Sequence, residues 1–328
     1  MFQKILQKIK KTIIKSIKKL IQRNKPVILI YHRVANISFD PFQMAVSEFN
    51  FENQMKFLKD NYNVISLESL IKKIRNKEKL NKCIAITFDD GYYDNLINAL
   101  PLLEKYKLPA TVFVSPTFVL NNKEFWWDEL ERIIFDVEDS RSLTLKINNN
   151  SKSWSFNQDR VLVLREIHKI LKSLNENQRS LIINQIKIWY GKPLETREEY
   201  RPLTAFELKK LSESQYIEIG AHTMNHVVLA NETFERQDKE IKDSKEMLEK
   251  IINKKIVSFS YPFGGKTDFN STSIDIVSNL DFLCAMSNNQ NYIDKNSNIF
   301  SMPRFLVRNW TKQEFTQKIN NFSIYGPE

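Results

Sequence analysis

The chain has 328 residues, 42% of them hydrophobic and 12% aromatic, which is enough apolar matter for a large core and excludes a disordered chain. Its two cysteines exclude a disulfide framework, and Cys83 and Cys284, both in apolar runs, read as buried thiols of a reducing compartment. The net charge of +10 excludes less than it suggests, because residues 1–25 carry eight lysines and Arg23 with no acid, leaving the remaining chain almost neutral.

In chain order, that basic stretch comes first. At helical spacing Phe2, Ile5, Leu6, Ile9, Ile13, Ile14, Ile17, Leu20 and Ile21 fall on one half of a wheel, and Lys4, Lys8, Lys11, Lys15, Lys18 and Lys19 on the other. No uninterrupted apolar run is present, so neither a signal peptide nor a transmembrane helix fits. The pattern suits a helix on an anionic membrane surface. A solvated helix docked on the body is the plainer alternative, and nucleic-acid binding is disfavoured because no basic patch continues beyond the tail. The expected placement is therefore cytoplasmic, on the inner face of a membrane.

Pro26 ends the tail, and Val27 to Tyr31 reads as a strand leading into His32-Arg33. Phe49 to Leu58 and Leu67 to Ile74 read as helices, the second capped by Ser66. Cys83 to Phe88 is an apolar strand that ends in Asp89-Asp90-Gly91. Neighbouring strand residues point to opposite faces, so the two acids share one pocket only if the strand ends and turns there, which Gly91 permits. A plain Asp-Asp-Gly turn is the alternative. Asn95 to Tyr106 reads as a helix with a kink or restart at Pro101, and Ala110 to Ser115 as the next strand.

Residues 116 to about 205 form a long insertion with a helical run from Arg160 to Trp189 broken near Asn175. Within Phe125-Trp-Trp-Asp128 the tryptophans are packing residues or sugar-stacking faces, with Asp128 an acceptor for substrate hydroxyls in the second case. His168 sits among Lys and Ile and is expected to face solvent.

Strands are expected again at Tyr216 to Ala221, Ile256 to Tyr261, Phe282 to Met286 and Arg304 to Val307, with a helix over Phe234 to Ile252. These bring the strand candidates to seven, alternating with helices, the pattern of an α/β barrel. His222 and His226 follow the first of these strands, four residues apart. If that segment turns into a helix, both rings can reach one ion, and with a carboxylate they make a three-ligand site open to water and substrate.

Thr87-Phe-Asp-Asp-Gly91, His222-Thr-Met-Asn-His226 and Tyr261-Pro-Phe-Gly264, in that order, resemble the motifs of the polysaccharide deacetylase family, the NodB homology domain of carbohydrate esterases. The resemblance covers about residues 26 to 310, and Tyr31-His-Arg33 recurs in one branch of the family. It implies a deformed (β/α) barrel of about seven strands and a metal-dependent hydrolase that removes acetyl groups from N-acetylated sugars. Residue by residue, it implies Asp90, His222 and His226 as metal ligands, Asp89 as general base and the backbone N–H of Phe263, next to Tyr261, as an oxyanion donor. The ligand set suits zinc, taken as the default, and cobalt, nickel or iron equally.

Two features depart from the family pattern. The arginine that many members carry three residues before the aromatic of the Pro-aromatic-Gly motif is Ser260 here, and Arg304 is the candidate substitute. The Leu-x-His motif that usually supplies the general acid is missing, since no histidine follows His226, and His32 is nominated in its place against the alternative of a rim histidine satisfied by hydrogen bonds. The expected function is N-deacetylation of a polysaccharide or lipid-linked glycan precursor in surface polysaccharide biosynthesis, with Tyr261, Trp127 and Asp128 beside the substrate. A non-catalytic carbohydrate-binding relative and an amidase for a non-sugar amide are the alternatives. The sequence leaves the oligomeric state open.

Overall fold

A computed structural model describes residues 25–147, 150–293 and 297–325. The basic amphipathic stretch of residues 1–25 lies, all but Lys25, outside the described residues.

Eight parallel strands form one sheet: β1 (Val27–Tyr31), β2 (Asn63–Val64), β3 (Cys83–Phe88), β4 (Ala110–Val114), β5 (Ile217–Ala221), β6 (Ser258–Ser260), β7 (Cys284–Met286) and β8 (Phe305–Leu306). Seven of them run in the order β7-β6-β5-β4-β3-β1-β8, and the two-residue β2 pairs with the start of β3. These seven coincide with the strands expected from sequence. The eighth was not anticipated, because two residues show no periodicity; the Asn63 N–H to Lys82 and Ile65 N–H to Ile84 hydrogen bonds define it.

The ring closes through a break. Residues 299–302 run beside β7, with Ala285 N–H on the Ile299 carbonyl at 2.9 Å and Met302 N–H on the Ala285 carbonyl at 2.8 Å. The chain then passes directly into β8, which pairs Phe305 with Leu29 of β1. This is a deformed (β/α) barrel, and all its strands send their carboxyl ends to one rim.

The helices fall where local chemistry puts them. In α1 (Glu48–Asn61) and α2 (Leu67–Arg75), Ser47 and Ser66 side chains accept the N–H of Asn50 and Ser69. Pro101 cannot donate to the carbonyl four residues back, and there the chain forms one wide π turn, Asn95–Ala99, before restarting as α3 (Leu100–Tyr106) with Pro101 near its start.

The insertion folds over the carboxyl rim. It comprises α4 (Pro116–Asn121), α5 (Trp126–Asp136), an antiparallel pair Ser142–Ile147 and Asn150–Ser155, α6 (Arg160–Lys172) and α7 (Glu176–Tyr190). An Asn175–Gln178 capping box starts α7 and accounts for the break in the helical run. These elements bury their own apolar cluster, from Tyr92 and Phe125 through Trp154 to Tyr190, separate from the barrel core. The chain returns through α8 (Ala205–Glu213), and α9 (Phe234–Ile252) and α10 (Ser271–Asn279) complete the barrel's outer layer before α11 (Lys312–Tyr325). Cys83 and Cys284 are buried and unpaired in a third cluster.

Candidate active site

The site is built at the end of β3. Asp90 (φ 76°) and Gly91 (φ 76°) are both left-handed, so the chain turns at once and both carboxylates face one pocket. Asp90, Thr223, His226 and Phe263 are all non-glycine residues with φ between 50° and 76°, which costs roughly 1–2 kcal/mol each and concentrates backbone strain at one rim.

Asp89 is held from two strands away, across β1, by Arg304, which stands just before β8. Both of its oxygens accept from the Arg304 guanidinium at 2.7 Å, a bidentate pair with Arg304 1% exposed. The Ser260 hydroxyl donates to Asp89 at 3.2 Å and accepts from Arg304 at 2.9 Å. Burial alone would raise the Asp89 carboxyl, but Arg304, with His222 and His32, holds it below the usual carboxylate range. Arg304 thus occupies by space what the sequence lacks at Ser260.

Asp90 faces the two imidazoles instead. Its Oδ1 lies 3.2 Å from His226 Nε2 and 3.6 Å from His222 Nε2. The His222 Nδ1 is 2.7 Å from the Ser260 carbonyl, which can only accept, so the proton sits on Nδ1 and Nε2 presents its lone pair to the site. Burial opposes ionisation of Asp90, yet the two imidazoles beside it hold its carboxyl far down; burial lowers His226 to about 4. One donor atom from each of Asp90, His222 and His226 lies within 4.8 Å of the other two, and all three residues are buried. Two neutral imidazoles and a carboxylate fit a divalent metal with positions to spare. The His222–His226 segment is not helical: left-handed Thr223 and His226 fold it into a loop that brings the rings together.

That loop is clamped from behind. Glu240, on α9 and 2% exposed, accepts the Asn225 N–H at 2.9 Å and its side-chain amide at 2.7 Å, and pairs with Arg236 at 2.9 Å. Sequence reasoning missed Glu240. The available signal was an acid next to inward-facing Ile241 on an otherwise amphipathic helix.

A cavity of about 180 Å³ opens above these groups, walled by His32, Phe42, Trp127, His168, Phe263 and Arg308. His32 reaches it from the end of β1; burial lowers its pKa, against the upward pull of Asp90 and Asp89. Phe263 sits in a turn whose carbonyl accepts from the Asn288 amide at 3.0 Å, and its own N–H takes no acceptor among the described residues. Trp127 packs 4.6 Å from the His226 ring.

Three placements differ from expectation. Tyr261 does not reach the cavity: its ring stacks on Phe269 at 4.0 Å and its hydroxyl donates to the Phe300 carbonyl, because strand alternation turns it away from the side Ser260 faces. Asp128 does not line the cavity either. It accepts the Tyr92 hydroxyl at 2.7 Å, and Tyr92 accepts the Trp127 indole N–H at 2.9 Å, so Asp128 acts through Tyr92 on Trp127; burial pushes its carboxyl up to about 8. His168, expected in solvent, is half-buried and lines the cavity, because the insertion brings α6 back across the rim.

A family model described as polysaccharide deacetylase matches residues 76–285. The chain is 37% identical over 99 residues to YxkH of Bacillus subtilis (strain 168), across 29% of this chain and 34% of that one. It is 24% identical over 178 residues to poly-beta-1,6-N-acetyl-D-glucosamine N-deacetylase of Staphylococcus aureus, across 48% of this chain and 61% of that one. The matches thus span about a third and three fifths of these relatives. The fold is similar to Streptococcus pyogenes deacetylase PplD in complex with acetate, with a TM-score of 0.60 at 20% identity, covering 90% of this chain and 98% of that one. It is also similar to a de-N-acetylase from Aggregatibacter actinomycetemcomitans, with a TM-score of 0.58 at 16% identity over 90% and 100% of the two chains.

Proposed function

We propose that this chain, which belongs to the polysaccharide deacetylase family, is a metal-dependent hydrolase that removes N-acetyl groups from a glycan. The observation that carries the reading is the division of labour between the adjacent acids: Asp89 is neutralised by Arg304, while Asp90 stands with two imidazoles as a separate donor set. A binding module has no use for that separation. Amide hydrolysis does, because it needs a base beside a metal site and not within it.

A divalent metal held by Asp90, His222 and His226, zinc by default, would lower the pKa of a water and polarise the acetyl carbonyl. Asp89, ionised at neutral pH because Arg304 opposes its burial, takes the proton of the attacking water. The Phe263 N–H, aimed from a strained turn, stabilises the oxyanion. His32, at the rim of the same cavity, protonates the leaving amine. Replacing His32 with Ala should cut turnover by about 10²–10⁴ with metal content unchanged, and unaltered turnover would reject that role.

A groove of about 600 Å³ lined by Asn36, Asp40, Asn309 and Trp310 lies beside the catalytic cavity and shares Arg308 with it. Its polar side chains and single indole suit further sugar units, which supports a polysaccharide or lipid-linked glycan precursor as substrate. The basic amphipathic residues 1–25 support work at an anionic membrane surface, on the cytoplasmic side. Equal recovery of full-length protein and protein lacking residues 1–25 on anionic liposomes would remove that part of the proposal. The activity itself is tested by acetate release from N-acetylated sugar oligomers before and after chelation, with recovery on adding zinc. Release indifferent to chelation would contradict the metal dependence.

A further inference from the structure

The floor of the catalytic cavity comes from the barrel, and its wall is shared: His32, Asn288 and Arg308 follow barrel strands, whereas Trp127 and His168 come from the insertion. Phe42, Trp127 and Phe263 present aromatic faces, and the Trp127 indole N–H is already given to Tyr92. The Asn288 amide N–H is given to the Phe263 carbonyl, and Arg308 donates to the carbonyls of Phe42 and Gln43. His32, Asn288 (through Oδ1) and His168 keep polar side-chain atoms without a partner among the described residues, and of these His168 is the one that the insertion supplies. The ring is nevertheless fixed. It stacks on Trp126 at 4.9 Å and 24°, leans on Phe42 at 4.9 Å, and meets Phe263 edge-on at 6.1 Å. Trp126 is itself 5% exposed, with the Arg179 guanidinium 5.7 Å from its ring, so the stack has a rigid back.

We propose that His168, delivered by α6 of the insertion, contacts the substrate and selects it by hydrogen bonding to a hydroxyl of the N-acetylated sugar. The ring is held neutral by burial and by Lys172, which lower it to about 4. A neutral imidazole offers one donor and one acceptor, the complement of a hydroxyl, whereas a carboxylate or phosphate would call for a cation. The aromatic faces beside it take the apolar face of the sugar ring, and the imidazole reads which hydroxyl lies at its edge. Holding the ring between Trp126 and Phe42 removes the rotamer freedom that binding would otherwise have to freeze. Specificity then sits in the insertion and chemistry in the barrel.

This inference rests on the deacetylase reading, and the two can fail separately. The test compares zinc-loaded full-length protein with His168→Phe, which keeps the stack but loses the hydrogen bond, and with His168→Gln, which keeps a donor and an acceptor. Substrates are N-acetylhexosamine oligomers and matched deoxy analogues that each lack one hydroxyl. His168→Phe should melt with the wild type, hold the same metal and show KM raised about tenfold with kcat little changed, the loss of one hydrogen bond. One deoxy analogue should lose that factor against the wild type and nothing against His168→Phe, and His168→Gln should recover part of it. Should His168→Phe fail to fold, His168→Leu, which also lacks a donor and an acceptor, carries the same coupling test. Wild-type KM in the variant, or deoxy losses identical in both proteins, would overturn the proposal while leaving deacetylation standing. If the wild type releases no acetate, the deacetylase reading fails, and calorimetric binding of the same oligomers still decides His168: about tenfold weaker binding by His168→Phe supports it, and equal binding rejects it.

Discussion

The barrel rim and the insertion above it solve the same problem, placing side chains around one cavity, by opposite means. At the rim each functional group is placed by strand register: Asp89 and Asp90 just past β3, His222 just past β5, and Arg304 just before β8. In the insertion Trp127 and His168 lie on two helices more than thirty residues apart in sequence, brought together by a private apolar cluster and by the Trp127–Tyr92–Asp128 relay. The rim tolerates little change because its charges are buried and paired. The wall is held by stacking and neutral hydrogen bonds, so its changes should be smaller and graded.

The largest effect should come from splitting the buried ion pair. Arg304→Met leaves Asp89 charged and buried without a partner, and should destabilise the protein by about 3–5 kcal/mol in urea unfolding. Adding Asp89→Asn to it should return most of that loss, since the uncompensated charge is then gone. If the double variant is as unstable as the single one, Arg304 matters to packing and not through Asp89.

Glu240→Ala sharpens the comparison at one remove from the rim. With the Asn225 amide and N–H released, the loop between the two histidines loses its clamp, and zinc affinity should fall about 10–100-fold while the barrel melts near its usual temperature. Competition with a chelator of known affinity measures this directly.

In the wall, Tyr92→Phe removes the middle of the relay and leaves the Trp127 N–H and Asp128 unpaired, a loss of about 1–3 kcal/mol on unfolding with metal binding intact. The wall also carries a pH dependence, at Asp128. Its folded pKa, about 8, lies above the ordinary 3.8, so the folded state holds the proton longer than the unfolded chain. Its contribution to stability is therefore complete below about pH 3.8 and lost as pH rises through about 8. Asp128→Asn keeps an acceptor for Tyr92 without ionising, so the variant should gain on the wild type in melting temperature as pH goes from 5 to 9. A constant difference across that range would mean that Asp128 titrates normally.

The same contrast explains what could be read in advance. Apolar runs such as Cys83–Phe88 announce buried strands, and the histidine or aspartate that follows β1, β3 and β5 announces the rim, so seven strands and the Asp and His pairs were legible. Arg304 could be nominated but not placed, because its meeting with Asp89 depends on β8 pairing with β1 across the barrel closure. Asp128 and Tyr261 were expected at the substrate because their neighbours are there. One turn of helix or one step of strand sent each side chain elsewhere. His168 was read as solvated from its local sequence, since nothing in Ile167-His-Lys-Ile170 reports that α6 crosses the cavity. Local pattern gives the period of an element and not what its polar face meets.

The most direct test of the central claim is acetate release from N-acetylated sugar oligomers by wild type and Asp89→Asn, with metal content measured on both. Asp89 is bound to Arg304 and lies beside the three-donor set, with its Oδ2 3.9 Å from His222 Nε2, without being one of the three, so the variant should retain a full complement of metal and lose release by at least about a hundredfold. Loss of metal together with activity would show that Asp89 is a ligand and not the base, and undiminished release in the metal-loaded variant would contradict the account outright.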